Sequence, residues 1–154
     1  LTDKVLKSFR DIHEQYQDYD WYLKIDDDVF LHYENLEKFL IDKNPNELVT
    51  FGFEMINKER PVEKGYHSGM AYLISNRAFH RIGEELSKNF SFCDNSGIED
   101  YDVARCLRKL RVFPGISTDK FEKILFIPDF KYTEVSLIDF ITYYDSYFLK
   151  FNFN

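Results

Sequence analysis

Two acidic clusters stand out as residues that can do chemistry. Asp26-Asp27-Asp28 follows the short apolar segment Trp21–Ile25 directly, and Glu99-Asp100 opens a helical pattern. Side-by-side carboxylates repel, and a divalent cation relieves that repulsion, because hard cations favour carboxylate oxygens. On an extended chain alternate residues point the same way, so Asp26 and Asp28 can face one ligand while Asp27 points elsewhere. The end of a strand in an open α/β sheet is also where such sheets place ligands. Taken alone, the tripeptide reads first as a solvated acidic turn, with Asp28 capping the helix that follows. An EF-hand is not supported, because its spacing is absent. A carboxylate at a helix N-terminus is stabilised by the helix dipole, so Glu99 and Asp100 read first as capping residues. A role for Asp100 as a general base requires it to share a pocket with the acid triplet.

The elements that must position these residues follow from periodicity. Val5, Phe9, Ile12 and Tyr16 lie on one face of an amphipathic helix over residues 2–18. Residues 21–25 form a strand, and a helix carries Leu36, Phe39 and Leu40. A second strand spans 48–53, residues 57–65 form a loop, and a third strand spans 71–75. A helix begins at about Asn76, which acts as its cap. Residues 88–98 are an irregular connector, and 99–110 is helical. A short strand at 125–127 and an aromatic helix over 136–149 complete the reading. Strands alternate with helices, which implies a layered α/β fold. The C-terminal aromatic stripe reads as core or as a domain contact before it reads as a sugar platform.

Composition narrows the classes. The 154 residues are 44% hydrophobic and 31% charged, with 16 Phe and 11 Tyr, which argues against long disorder. The formal net charge of −7 and the lack of a basic cluster argue against nucleic-acid binding. No apolar run approaches bilayer-spanning length. No signal peptide opens the sequence, so the chain is either cytosolic or follows targeting segments that lie upstream. Cys93 and Cys106 read either as two buried thiols or as a disulfide closing a short loop, and no zinc ligand set surrounds them. Asn89-Phe90-Ser91 is a glycosylation sequon, which matters only in a secreted or luminal protein.

Three segments then carry a resemblance. WYLKIDDDVFLHYENLEKFL resembles the W-Y-x-K-A-D-D-D-T-Y-x-x-x-E-N-L segment of the fringe-like β1,3-glycosyltransferases. GYHSGMAYLIS resembles their G-Y-x-S-G-G-A-G-Y-x-x-S segment. CDNSGIEDYDVARCLRKLRV resembles C-x-x-x-S-x-E-D-x-x-x-G-R-C-x-x-x-x-x-V, with the same cysteine spacing. The order is the family's, the match is good from Asp18 to Val112, and the core 1 type, the glycoprotein-N-acetylgalactosamine 3-β-galactosyltransferases, is the branch most resembled.

The resemblance implies a GT-A-type, Rossmann-like α/β fold, with residues 1–154 forming a single partial domain that lacks its N-terminal portion. It implies inverting transfer of a hexose, galactose in the core 1 branch, from a UDP-sugar donor to the 3-hydroxyl of an O-glycan acceptor on a glycoprotein or glycopeptide. It implies Mn²⁺ as cofactor, held by Asp26 and Asp28, with Asp28 the more direct ligand. Asp26, Asp27, Ser68, Gly69 and Glu99 take donor-binding positions, Asp100 takes that of the catalytic base, and Cys93 and Cys106 form a disulfide. It further implies a Golgi-luminal type II membrane protein, anchored through an upstream segment, and a possible homodimer. The alternative is a non-catalytic paralogue or fragment acting as a folding partner or glycan-binding module. The sequence departs from the family at SGMAY, where SGGAGY is usual, and at Gly115-Ile116-Ser117, where an aspartate usually follows the glycine. The late His ligand is also missing; Asp129 stands nearby, and the four His lie at 13, 32, 67 and 80.

Overall fold

The computed structural model describes residues 1–118 together with Leu125 and Phe126. Its elements are α1 (Thr2–Gln15), β1 (Trp21–Ile25), α2 (Tyr33–Leu40), β2 (Val49–Met55), β3 (Tyr66–Ser75), α3 (Asn76–Lys88), α4 (Glu99–Lys109) and β4 (Phe113–Pro114). A 3₁₀ turn spans Phe90–Phe92. The sheet runs β1-β3-β2-β4 and is mixed: β3 is antiparallel to both β1 and β2, and β2 is parallel to β4. The fold is therefore α/β, as expected, with a small mixed sheet.

Strand alternation splits the core into two layers. Tyr22, Tyr72 and Ile74 face α1, α3 and α4, where Leu6, Phe9, Phe79, Ile82, Val103 and Leu107 complete the larger cluster. Trp21, Leu23 and Leu73 face the other way, against Phe39 and Leu36 of α2 and Phe51 of β2. The Tyr22 ring stacks on Phe79 with centroids 3.8 Å apart, and Phe9 meets Phe79 edge-on at 5.4 Å. Helices α1 and α3 approach closely at Gly83, where a Cβ would lie 2.4 Å from the His13 side chain.

Local chemistry refines several boundaries. Helix α1 ends at Gln15, three residues short of the expected end. The cap of α3 is Ser75 and not Asn76, because the Ser75 hydroxyl accepts from the Ala78 amide at 3.4 Å. His32, not Asp28, occupies the cap position of α2. Strand β3 begins at Tyr66, five residues earlier than its apolar run signals. The two-residue strand β4 was not read from the sequence; it is a short edge pairing beside β2. Leu125 and Phe126 form a bend, not a strand, and pack beside the Phe39 cluster. Ile127 and the aromatic segment 136–149 lie outside the described residues.

Cys93 and Cys106 are disulfide-bonded, with Cα atoms 5.0 Å apart, which ties the connector to α4. The bridge closes a loop with a sequence separation of 13. Reducing it is expected to cost about 3 kcal/mol by loss of the loop constraint. A denaturant melt with and without reductant, with Cys93→Ser/Cys106→Ser as the reference, measures this.

Candidate active site

The acid triplet sits where β1 ends. Asp27 and Asp28 lie in a turn, closed by the Val29 amide bonding to the Asp26 carbonyl at 3.3 Å. The chain is therefore not extended here, and the alternation expected for Asp26 and Asp28 does not apply. Asp27 and Asp28 are exposed, and Asp26 is half-buried.

A bulge in β3 brings the second motif alongside. Gly52 pairs with Tyr72 and Glu54 pairs with His67, so Ser68, Gly69, Met70 and Ala71 stand opposite Phe53 alone. The displaced segment leaves β2 and joins the end of β1. There Ala71 pairs with Ile25, and the Asp26 amide donates to the Met70 carbonyl at 2.9 Å. Ser68 is buried, and Gly69 and Met70 are partly exposed.

The third motif approaches from α4. The Asp100 carboxylate accepts the Gly69 amide at 3.3 Å through Oδ2 and its neighbour's amide, Tyr101 N, at 2.8 Å through Oδ1. Glu99 is buried, accepts the Tyr72 hydroxyl at 2.5 Å, and has its Oε2 3.7 Å from Lys24 Nζ. A Cβ on Gly69 would sit 3.1 Å from that Oε2, so this glycine lets the bulge lie against α4.

Lys24 joins all three motifs. It shares a sheet face with Tyr22 and Tyr72 and so points toward the start of α4. Its Nζ lies 2.5 Å from Asp26 Oδ1, bonds the Gly69 carbonyl, and sits 5.9 Å from the Tyr72 ring centre. Gly69 is thus held at both ends of its residue: its N–H on Asp100 and its C=O on Lys24, which in turn holds Asp26. The structure brings Asp26, Gly69, Glu99 and Asp100 together through Lys24 and Tyr72, which the sequence does not mark, and leaves Asp27 and Asp28 exposed outside these contacts. The only sequence signal for Lys24 was a lone cation in an otherwise apolar strand.

Burial sets the electrostatics. It pushes the Glu99 carboxyl above its usual range, with the Tyr72 hydroxyl and Lys24 opposing the shift. Burial also pushes Tyr72 well above 10.0, so its hydroxyl keeps its proton and donates. His67, beneath the bulge, is lowered to about 4 by burial. Unfolding restores its ordinary basicity near 6.5, so the unfolded chain binds more protons between these values. Stability is therefore expected to fall as pH drops from 6.5 toward 4, by up to about 3 kcal/mol for this residue. The lowered His13 adds in the same direction, and the raised Glu99 opposes it. Urea melts from pH 7 to 4, compared with His67→Phe, give the slope, which the variant should flatten.

For a divalent cation, the chain offers the carboxylates of Asp26 and Asp28, one Asp26 oxygen being engaged by Lys24. Among the described residues no three His, Cys, Asp or Glu side chains converge. Two carboxylates nevertheless suit a hard cation whose remaining positions are filled by water and phosphate oxygens. The two acids are of the donor type such a cation takes. Asp129 lies outside the described residues.

Two sequence comparisons bear on this chain. Residues 1–65, which include the acid turn but stop short of Gly69 and Asp100, match the family model described as galactosyltransferase. Over that stretch the chain is similar to the galactosyltransferases. It is 27% identical over 129 residues to the glycoprotein-N-acetylgalactosamine 3-beta-galactosyltransferase 1 of Xenopus laevis. That match covers 81% of this chain and 34% of the relative, so the chain spans about a third of the relative's length. No helix among the described residues is long and apolar enough to cross a membrane.

Proposed function

We propose that this chain forms the catalytic side of a β1,3-galactosyltransferase of GT-A type. It transfers galactose from UDP-galactose, with inversion, to the 3-hydroxyl of an N-acetylgalactosamine on a glycoprotein. The observation that carries the reading is the placement of two acid clusters on one residue: Gly69 binds Asp100 through its amide and reaches Asp26 through Lys24.

Each residue then has a task. Asp28 and Asp26 hold a divalent cation, Mn²⁺ by family likeness. When bound, it supplies positive charge at the diphosphate leaving group. Asp27 and the Ser68–Gly69 segment line the donor position, with Glu99 supporting Gly69 from behind. Asp100 takes the proton from the acceptor hydroxyl. Its two backbone hydrogen bonds hold the carboxylate in one orientation while leaving lone pairs free, as a general base requires. Attack from the side opposite the nucleotide inverts the anomeric centre, so base and acid turn must flank the donor sugar. A Golgi-luminal setting fits the disulfide.

Radiolabelled transfer from UDP-galactose to an N-acetylgalactosaminyl peptide tests this. Asp100→Asn is expected to lower transfer by at least about 10²-fold, the scale of general-base catalysis, while retaining UDP binding. Unchanged transfer by that variant removes Asp100 as the base. Peptide binding without nucleotide or transfer would instead identify a non-catalytic glycan-binding module.

A further inference from the structure

The site continues inward from Asp100. A small pocket lies between β2, β3 and α4, walled by Thr50, His67, Tyr72, Asp100, Leu107 and Arg108 among others. Its enclosed part leaves room for about one water molecule.

His67 is built into that wall. Its side chain is buried, and its Nε2 lies 3.0 Å from the Thr50 hydroxyl. Gly52 makes the place for it, since a Cβ there would come within 2.9 Å of His67 Cβ and Cγ. The other ring nitrogen, Nδ1, is buried and has no hydrogen-bond partner among the described residues. A buried ring nitrogen left unpaired is costly, and native structures pair nearly all such atoms.

The remaining polar groups of the wall narrow what can pair with it. Arg108 spends three of its five N–H groups on the carbonyls of Glu63, Val112 and Gly65 at 2.7, 2.5 and 2.7 Å, and none of its nitrogens bonds His67 Nδ1. Asp100 accepts one backbone N–H on each oxygen and keeps further lone pairs. A neutral imidazole carries one N–H and one acceptor nitrogen.

We propose that this pocket is a hydroxyl-binding site bounded by His67 Nδ1 and the Asp100 carboxylate, occupied in the resting protein by one water. The water donates one O–H to each acceptor. Its two donors match the two acceptors, which places the imidazole proton on Nε2, donating to Thr50. His67 is then a positioning residue: through the water it fixes the Asp100 carboxylate. The site does not depend on which sugar, if any, the protein transfers.

A high-resolution crystal structure and long-range ¹H–¹⁵N spectra of the His67 ring test this together. The expected result is a water within about 3.2 Å of both His67 Nδ1 and an Asp100 oxygen, with the ring proton on Nε2. In His67→Phe the water is expected to disappear, and the Asp100 side chain to adopt more than one rotamer. A wild-type ring protonated on Nδ1, a dry pocket, or a water touching only one of the two groups overturns the proposal. The wild-type measurements decide the question even if the variant does not fold.

Discussion

Replacing Asp102 with alanine is expected to destabilise the fold by about 2–3 kcal/mol, the scale of leaving a buried hydrogen-bond donor unsatisfied. Asp102 is fully buried in the first turn of α4. Its Oδ2 accepts the Thr2 hydroxyl at 2.9 Å and the Ser96 amide at 2.9 Å, and its Oδ1 accepts the Ser96 hydroxyl at 2.7 Å. Three neutral donors and the helix N-terminus together replace the water that this carboxylate loses. Alanine would strand the Thr2 hydroxyl, itself fully buried, while the exposed Ser96 can turn to water. It would also release the start of α1 from α4, which are 100 residues apart in sequence. Urea melts measure the loss. A cycle with Thr2→Val should recover part of it, because that change removes one stranded donor.

Lys24→Met is expected to cost about 3 kcal/mol at neutral pH and to disconnect the candidate site. The Lys24 side chain is 12% exposed and that of Glu99 is 3% exposed, so Glu99, while buried, would lose the one cation near it among the described residues. The Asp26 contact adds less, because that side chain is 43% exposed and solvent screens it. The sign with pH is definite. Without Lys24 the Glu99 carboxyl rises further above its unfolded value, so the variant regains stability as pH falls and Glu99 takes a proton. Lys24→Met/Glu99→Gln should recover most of the stability at pH 7, because the amide needs no counter-charge. Thermal melts of the three variants from pH 7 to 5 measure both effects. Equal losses at every pH would show that Lys24 acts through packing alone.

The sequence reveals the site's acids more readily than what holds them. Asp26, Asp28 and Asp100 announce themselves because acids at a strand end or helix start are few and locally conspicuous. Lys24 does not, since one cation in a short strand looks like ordinary alternation. Its partners, Gly69 and Glu99, lie 45 and 75 positions further along the chain. Asp102 reads as an ordinary first-turn acid for the same reason: its partner Thr2 is at the far end of the described chain. The bulge also hides β3. Ser68, Gly69 and Met70 look like a loop, so the strand was read from Ala71, whereas pairing with β2 resumes at His67 and Tyr66. Conversely, the alternation argument for Asp26 and Asp28 failed because a hydrogen-bonded turn replaces extended chain immediately after Ile25. Helix faces and the main strands were legible because burial imposes a period on them. Single-residue details, such as Ser75 capping α3 in place of Asn76, depend on one hydroxyl reaching one amide.

The acid turn at the end of β1 holds the metal-bound nucleotide of the donor in the proposed reaction. A thermal melt of the chain, with Mn²⁺ alone, UDP alone and both together, tests it most directly. The midpoint is expected to rise with both ligands, since ligands that bind only the folded state stabilise it by about 2.7 kcal/mol at 100 times Kd. Asp28→Ala is expected to abolish the rise, and Asp100→Asn to leave it intact. A cooperative wild-type melt that does not move with both ligands would contradict the account.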